Sequence, residues 1–280
     1  MNIYKKNIDG VYSLLQPTLA IPVIFDSPHS GKTIPEDFDY ACTEDDFQQS
    51  IEHYVDELYQ DAALNIGATF LKAEFPRAYI DLNRAENDID NDLLEDIWPY
   101  PTDPKGRSSV GIGLIRRLIK PNTPLYNRPL THGEINHRIN KYYRPYHQIL
   151  KETIEELHQQ HGKCLYLNCH SMPSTLSAAS GQVIANTQPE FVLSNRDDTT
   201  STPEIIHALK DILKSEGFKV TINTPYKGAE LIKRHANPLN NIQAIQIETN
   251  RALFMNEVTG KKSKLFEGFQ KKIQATVKEL

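Results

Sequence analysis

The chain has 280 residues, of which 39% are hydrophobic and 24% are charged. This composition is typical of a globular protein with a substantial core and excludes a largely disordered chain. The formal net charge of −5 gives no reason to expect nucleic-acid binding. No apolar run approaches the roughly 20 residues that span a bilayer. We therefore predict a single cytoplasmic domain over residues 1–280, with no nucleic-acid or membrane partner.

Three cysteines, Cys42, Cys164 and Cys169, are an odd number without CxxC spacing. This predicts reduced thiols rather than a disulfide scaffold. Cys169 adjoins His170 and is a candidate nucleophile, as is Ser171 on the other side of that histidine. We favour a buried strand cysteine that packs as a small hydrophobic residue.

The first buried strand is predicted to end at Phe25, where an apolar run gives way to Ser-Pro-His29-Ser-Gly. Proline and glycine are typical of a loop, so His29 should lie just past the strand. Apolar residues at three- and four-residue spacings then predict a helix over 44–64. That helix would place Asp56 beside its apolar stripe.

Two further strands are predicted over 68–73 and 77–82. The second leads into Asn83 and Arg84, which place an amide beside a guanidinium. A planar guanidinium grips a carboxylate through two parallel hydrogen bonds, and the amide can donate another. The pair is a candidate carboxylate clamp; the alternative is an ion pair between Arg84 and acids of the following segment.

A polar, proline-rich segment over 84–129 is longer than most loops, which is typical of a functional lid or a wrapped surface segment. Its Gly111 and Gly113 lack the third glycine of a dinucleotide-binding fingerprint. From residue 131 an amphipathic helix is predicted to run to about residue 157, with a kink or a division at Pro145.

The second half of the chain alternates predicted strands and helices. Strands end at His170 and Glu248, with another near residue 191, a helix over 203–216, a strand over 219–223 and a terminal helix. This alternation predicts an α/β fold whose mixed, mostly parallel sheet is flanked by helices on both faces. Open sheets of this kind build active sites at the carboxyl ends of their strands. His29, His170 and Glu248 should meet there, and this set favours metal-assisted hydrolysis, with Zn²⁺ or another divalent metal as the cofactor.

With these residues in view, the sequence closely resembles the N-formylglutamate amidohydrolase family over nearly its whole length. That family is similar in fold to zinc carboxypeptidases and aspartoacylases, which implies a phosphorylase/hydrolase-like, zinc carboxypeptidase-like sheet. The strings that carry the resemblance are Asp-Ser-Pro-His29-Ser-Gly, His-Tyr-Val-Asp56-Glu-Leu-Tyr, Phe-Pro-Arg77-Ala-Tyr-Ile-Asp-Leu-Asn83-Arg84-Ala-Glu, Gly-Ile-Gly-Leu-Ile-Arg-Arg, Tyr-Tyr-Arg-Pro-Tyr-His147, Asn-Cys-His170-Ser-Met-Pro, Pro-Tyr-Lys227-Gly and Gln-Ile-Glu248-Thr-Asn-Arg.

The resemblance implies a metal held by two histidines and one carboxylate. In carboxypeptidases and aspartoacylases a glutamate follows the first histidine by three positions, but here that position is Lys32. We predict the ligands His29, Asp56 and His170, with Glu36 and Glu52 as alternatives to Asp56.

The resemblance also implies roles for the remaining site residues. Glu248 would move the proton, and Arg77 would polarise the scissile carbonyl. Asn83 and Arg84 would hold the α-carboxylate of a small anionic substrate. Arg196 and Lys227 are candidates for the side-chain carboxylate, although a solvated or structural cation is the alternative for each.

The implied reaction is hydrolysis of N-formyl-L-glutamate to formate and L-glutamate, as in histidine breakdown. One alternative is a related metalloamidase for another N-acyl amino acid, and another is a catalytically silent carboxylate-binding protein. An amidase with Cys169 or Ser171 as nucleophile is a third. His147 could contact substrate, but a buried structural histidine is the favoured interpretation.

Overall fold

Eight strands form one mixed sheet in the computed structural model, which describes residues 2–103, 106–177, 183–185 and 188–279. The spatial order is β1-β2-β4-β3-β5-β8-β6-β7. Parallel pairings join β4 to β3, β3 to β5, β5 to β8 and β6 to β7, and the remaining three neighbours pair antiparallel. The strands are β1 (Ile3–Ile8), β2 (Tyr12–Pro17), β3 (Val23–Ser27), β4 (Thr69–Ala73), β5 (Cys164–Met172), β6 (Phe191–Ser194), β7 (Val220–Ile222) and β8 (Ile242–Asn250).

Seven α-helices accompany this sheet in the described part of the chain, and none of them is long and apolar enough to cross a membrane. Short hairpins pair Leu118–Lys120 with Thr123–Pro124, Leu176–Ser177 with Val183–Ala185, and Met255–Asn256 with Lys261–Lys262. The helices are α1 (Glu44–Ser50), α2 (Val55–Asn65), α3 (His132–Arg138), α4 (Arg144–His161), α5 (Pro203–Ser215), α6 (Glu230–His235) and α7 (Phe266–Val277).

Two hydrophobic cores lie on opposite faces of the sheet. Successive strand residues point to opposite faces, so Tyr166 belongs to one core and Leu167 to the other. Buried side chains of α3, α4 and α6 pack in the first core, and those of α2, α5 and α7 pack in the second. The predicted α/β class, with a mostly parallel sheet and helices on both faces, is confirmed.

Two local predictions were wrong, and one hairpin was not predicted. Residues 77–82 form consecutive turns rather than a strand, although Ala78, Tyr79, Ile80 and Leu82 are fully buried. The predicted helix over 44–64 is two helices with a break at 51–54. The amino-terminal hairpin of β1 and β2 was not predicted at all, because every residue of β1 is exposed and gives no alternating pattern.

The predicted division near Pro145 is present. A π-helical turn over Ile139–Tyr143 separates α3 from α4, and Pro145 lies in the first turn of α4. Proline has no backbone N–H and clashes with the preceding turn, so a wider turn just before it is a physical expectation.

Candidate active site

The carboxyl ends of β3, β5 and β8 bring the predicted histidines and glutamate together. These strands are consecutive neighbours and run parallel. Glu248 pairs directly with His170 across the β5–β8 ladder. The rings of His29 and His170 lie 4.7 Å apart between centroids. All three side chains line one cavity of about 740 Å³.

Glu52 completes this group, because the break between α1 and α2 carries it to the strand ends. Its backbone N–H donates to the carbonyl of His29 at 3.1 Å, and the Ser30 hydroxyl donates to its carbonyl at 2.8 Å. Its carboxylate lies 2.9 Å from Nδ1 of His29 and 3.2 Å from Nδ1 of His170. The three side chains are almost fully buried, and one ligand atom from each lies within 4.8 Å of the others.

The loop that carries His29 is held by a close backbone approach. A Cβ at Gly31 would lie 2.4 Å from the carbonyl carbon of Glu74, so no larger residue fits there without movement. Thr33 N–H donates to the carbonyl of Glu74 at 2.8 Å. The sequence Ser-Pro-His-Ser-Gly therefore fixes the histidine against the neighbouring segment.

The structure does not bring Asp56 into the cluster, which corrects the predicted ligand set. Asp56 lies in the first turn of α2, where its backbone N–H donates to Ser30 Oγ at 3.3 Å. Its carboxylate lies 3.7 Å from Lys72 Nζ instead. Glu36 is exposed on the preceding loop. Of the acids considered from sequence, Glu52 alone has its carboxylate between the two imidazoles, because it precedes the helix rather than belonging to it.

A second layer of polar groups orients both imidazoles. Nε2 of His29 lies 2.9 Å from Asp81 Oδ1, and Nε2 of His170 lies 2.8 Å from Asn168 Oδ1. Asn168 Nδ2 in turn donates to Asp26 at 2.7 Å. Oxygen acceptors at Nε2 favour the tautomer whose Nδ1 is unprotonated. In that tautomer two nitrogen lone pairs and a carboxylate face one another, an arrangement that a cation stabilises.

The two deepest acids of the cluster are held in their ionised form. Burial raises the pKa of Glu52, yet His170 and His29 hold that pKa well below its ordinary value. Burial acts on Asp81 in the same way, and Arg77 and His29 lower its pKa well below the usual range. Both carboxylates are therefore ionised at neutral pH.

The pKa of Glu248 is shifted in the opposite direction. Burial raises its pKa to about 7, and the negative charge of Glu52 adds to the rise while His170 opposes it. Gln246 Nε2 donates to Glu248 Oε1 at 2.9 Å and orients the carboxyl group. A carboxyl group whose pKa lies near the working pH is suited to accept and return a proton.

Arg77 lies in the cavity wall, although on turns rather than on the predicted strand. Its Nη1 donates to Glu52 at 2.5 Å, and its Nη2 donates to Asp81 at 2.6 Å. The guanidinium is therefore fixed beside the histidine cluster, and 14% of the side chain is exposed.

The Asn83–Arg84 pair lines the cavity, and the protein already engages part of the Asn83 amide. Asn83 Nδ2 donates to Gln246 at 3.1 Å and lies 3.3 Å from Nε2 of His170, and its Oδ1 accepts from the backbone N–H of Leu231 at 2.9 Å. Among the described residues, Arg84 donates only to the backbone carbonyls of Ile112 and Asn83. The guanidinium is therefore the half of the predicted clamp with more unengaged donor capacity.

Arg196 and Lys227 lie on two loops that pair with each other at the cavity rim. Arg196 N–H donates to the carbonyl of Lys227 at 2.9 Å, and its Nη1 donates to the carbonyl of Gly228 at 3.1 Å. Lys227 forms an ion pair with Asp197 at 2.7 Å, and its side chain is 63% exposed. Their predicted role in binding a second carboxylate stays a prediction.

Sequence reasoning missed three cavity arginines, Arg107, Arg116 and Arg251. Arg251 Nε donates to Ser171 Oγ at 3.1 Å, which engages the alternative serine nucleophile. Arg251 follows directly after the Gln-Ile-Glu248-Thr-Asn string, and Arg116 closes Gly-Ile-Gly-Leu-Ile-Arg. Both strings contributed to the family resemblance, so the position of Arg116 and Arg251 in or next to them was the available sign of a functional role.

The surroundings of Cys169 and His147 favour a structural role for both side chains. Cys169 is 1% exposed, and burial raises the pKa of its thiol well above the ordinary value, which disfavours a nucleophile. His147 is buried, with its Nδ1 2.9 Å from Nε2 of His235 and its Nε2 3.0 Å from the carbonyl oxygen of Leu82. Because that atom is a carbonyl oxygen, His147 Nε2 is the donor. It supports the backbone before Asn83 from outside the cavity.

Comparison with known proteins places the chain in a family. The N-formylglutamate amidohydrolase model matches residues 21–255. An N-formylglutamate deformylase of Pseudomonas putida is 25% identical over 254 residues, covering 89% of this chain and 87% of the relative. The crystal structure of an N-formylglutamate amidohydrolase from Ralstonia eutropha JMP134 is 36% identical, covers 96% of both chains and gives a TM-score of 0.91. A gene product of Agrobacterium tumefaciens shares the fold at 15% identity, with a TM-score of 0.68 and 96% and 95% of the two chains covered. The chain therefore belongs to the N-formylglutamate amidohydrolase family and is an amidohydrolase.

Proposed function

We propose that this enzyme hydrolyses the amide bond of N-formyl-L-glutamate to formate and L-glutamate with the help of a divalent metal. The observation that carries the proposal is the buried group of His29, Glu52 and His170 beside Glu248, in a cavity whose walls carry several arginines. The names of the relatives support the substrate, and the charge of the cavity suits an anion. A place in histidine breakdown and a cytoplasmic location stay predictions.

The donor set fits a metal. His29 and His170 would offer Nδ1, and Glu52 would offer a carboxylate oxygen, which are ligands that Zn²⁺ accepts at catalytic sites. Asp81 and Asn168 supply the outer hydrogen bonds that metal-binding histidines generally have. When bound, a divalent ion supplies Lewis acidity, which polarises a carbonyl group and eases ionisation of water.

Glu248 would carry the proton. Its carboxylate takes a proton from the attacking water as the water oxygen bonds to the formyl carbon. It then delivers that proton to the amide nitrogen as the C–N bond breaks, which releases formate and the amino group. Burial, which raises the pKa of Glu248 to about 7, makes both transfers feasible near neutral pH.

Arg77 would stabilise the negative charge that develops on the formyl oxygen. Its guanidinium is held by Glu52 and Asp81 and needs no reorganisation during the reaction. Fixed donors of this kind are effective because their orientation is set before charge appears.

A chelator-controlled assay tests the function. Purified protein should release formate from N-formyl-L-glutamate, lose that activity in chelator and regain it with added zinc. N-acetyl- and N-succinyl-glutamate serve as comparison substrates, and slower turnover of both is expected. Activity that persists in chelator, or a faster reaction with either comparison substrate, would contradict the proposal.

Arg84→Ala is expected to raise KM for N-formyl-L-glutamate by at least about tenfold, with a smaller change in kcat. Arg84 has no carboxylate partner among the described residues, so a substrate carboxylate is its expected partner. Loss of an interaction made equally in the ground state and the transition state raises KM. Steady-state kinetics provide the check, and an unchanged KM would exclude the role.

Asp81→Asn is expected to weaken zinc binding by about 10- to 100-fold, the range typical of outer partners of metal-bound histidines. The amide still contacts His29 but is a poorer acceptor than the carboxylate that lies 2.9 Å away in the native protein. Competition with a fluorescent zinc chelator measures the change. Equal zinc affinities for the two proteins would show that Asp81 does not tune the histidine.

A further inference from the structure

We infer that Arg116 binds a carboxylate group of the substrate, together with Arg84. The inference rests on the proposed function, which supplies a substrate with two carboxylates. No role was assigned to Arg116 from the sequence.

Arg116 is a cation without an adequate partner. Its side chain is 12% exposed, and its Nε is buried with no hydrogen-bond partner in the described part of the chain. The nearest acidic oxygen, Asp81 Oδ2, lies 3.8 Å from Nη2, beyond hydrogen-bond distance. Buried guanidinium groups are normally paired, because an unpaired buried charge is costly.

Asp81, the acid near Arg116, already has closer partners. Asp81 accepts from Arg77 at 2.6 Å and contacts His29 at 2.9 Å. Burial and the positive charge of Arg77 lower the pKa of Arg116 to about 9, so the folded protein holds this cation against an unfavourable environment. A group maintained at such a cost in a cavity wall is a candidate functional group.

Two other basic residues that line the cavity have carboxylate partners within hydrogen-bond distance. Arg77 donates to Glu52 and Asp81, and Lys227 pairs with Asp197 at 2.7 Å. Among the described residues, Arg84 contacts only backbone carbonyls, and it lies close enough to Arg116 for the two charges to repel. Two neighbouring arginines that no described carboxylate reaches at hydrogen-bond distance form a site for a substrate carboxylate.

A substrate carboxylate would satisfy both arginines at once. Guanidinium groups bind carboxylates through charge-assisted hydrogen bonds, and desolvation strengthens the attraction. Asn83, the predicted partner of Arg84, is already bonded to Gln246 and Leu231. Arg116 takes the place in the clamp that we predicted for Asn83.

The test compares Arg116→Met with the wild type on three substrates: N-formyl-L-glutamate, its α-amide and its γ-amide. We expect kcat/KM of the variant on N-formyl-L-glutamate to fall by about 30- to 1,000-fold, the range for removing one partner of a desolvated charge pair. On one of the two amides the variant and the wild type should agree within about threefold, since the carboxylate that Arg116 binds is missing there. The amide on which the two proteins agree identifies the substrate carboxylate that Arg116 binds. Arg116→Lys should recover only part of the loss, because it keeps the charge but not the planar fork.

Arg117→Met is the matched control, because that neighbouring arginine donates to Asp90 at 2.7 Å and does not line the cavity. Its kinetics should match the wild type. The Arg116→Met protein should unfold at or above the wild-type temperature, since Asp81 keeps its other partners. An equal loss on all three substrates, or no loss on any, would overturn the inference.

The two proposals can fail separately. If the zinc-loaded wild type turns over N-formyl-L-glutamate and Arg116→Met does so equally well, the role of Arg116 is refuted and the function stands. If the wild type shows no turnover, calorimetry with L-glutamate decides: weaker binding by Arg116→Met supports the arginine site although the function fails. Equal binding by both proteins refutes the site.

Discussion

Glu248→Gln is expected to lower kcat on N-formyl-L-glutamate by about a hundredfold or more, because general acid–base assistance typically contributes 10²–10⁴ in rate. The amide has nearly the same shape and still fits beside Gln246 and His170, but it cannot take a proton from water. Since Glu248 is not among the three candidate ligands, the variant should bind as much zinc as the wild type. Stopped assays and elemental analysis on the same preparations measure both quantities.

The same substitution should stabilise the metal-free protein at alkaline pH. The folded-state pKa of Glu248, about 7, lies above its ordinary value of 4.5, so the folded protein binds more protons than the unfolded chain between these values. The stability linked to this proton is complete below pH 4.5 and is lost as the pH rises through 7. Above pH 7 the glutamine variant should therefore be more stable by on the order of 3 kcal/mol.

Thermal unfolding in chelator at pH 5 and pH 8 measures how the stability difference between Glu248→Gln and the wild type depends on pH. The advantage of Glu248→Gln should be small at pH 5 and large at pH 8. Turnover equal to that of the wild type would exclude Glu248 as the proton carrier. An advantage that is the same at both pH values would show that its carboxyl group does not titrate as the cavity predicts.

Glu52→Gln is expected to abolish tight zinc binding and, with it, measurable turnover, whereas Asp56→Asn should change neither by more than about threefold. Changes to outer groups alone cost about 10- to 100-fold in metal affinity, so loss of a ligand should cost more. Glu52 has its carboxylate between both imidazoles, while Asp56 faces Lys72. Parallel zinc titrations and formate-release assays compare the variants.

Two controls keep this comparison decisive. Circular dichroism should show that Glu52→Gln remains folded, because the glutamine can still accept from the backbone N–H of Ser171. Added zinc in large excess should restore part of the activity if affinity alone is reduced. Zinc loss in Asp56→Asn, together with retention in Glu52→Gln, would reverse the assignment of the third ligand.

The strand ends could be predicted because local chemistry determined them. The apolar runs before His29 and His170, and the run that contains Glu248, form adjacent parallel strands, so polar residues at their ends had to meet. The sheet class followed from the alternation of these runs with helical patterns. These conclusions needed only short stretches of sequence.

The approach of Glu52 to the two histidines could not be predicted in this way. Apolar spacing continues smoothly across 44–64, and neither glycine nor proline marks the break at 51–54. Tyr54 adopts a left-handed conformation with φ of 67°. That conformation is unusual for a bulky residue and is imposed by tertiary packing. A continuous helix would have placed Glu52 and Asp56 one turn apart on the same face, which left no basis to choose Glu52.

The segment after β4 was misjudged for a different reason. Its alternating apolar residues imitate a strand, but Ala78, Tyr79, Ile80 and Leu82 are buried in turns against the α3–α4 side of the sheet. Burial in turns gives the same pattern as burial in a strand. The surroundings of Arg116 were likewise invisible, because they depend on which acids the folded chain places nearby.

Anomalous diffraction at the zinc edge, from crystals of the wild-type protein grown with zinc, tests the central claim most directly. We expect a peak at coordination distance, about 2.0 to 2.2 Å, from Nδ1 of His29, Nδ1 of His170 and an oxygen of Glu52. A map with no peak among these three side chains, or with the ion held at Asp56 instead, would contradict it.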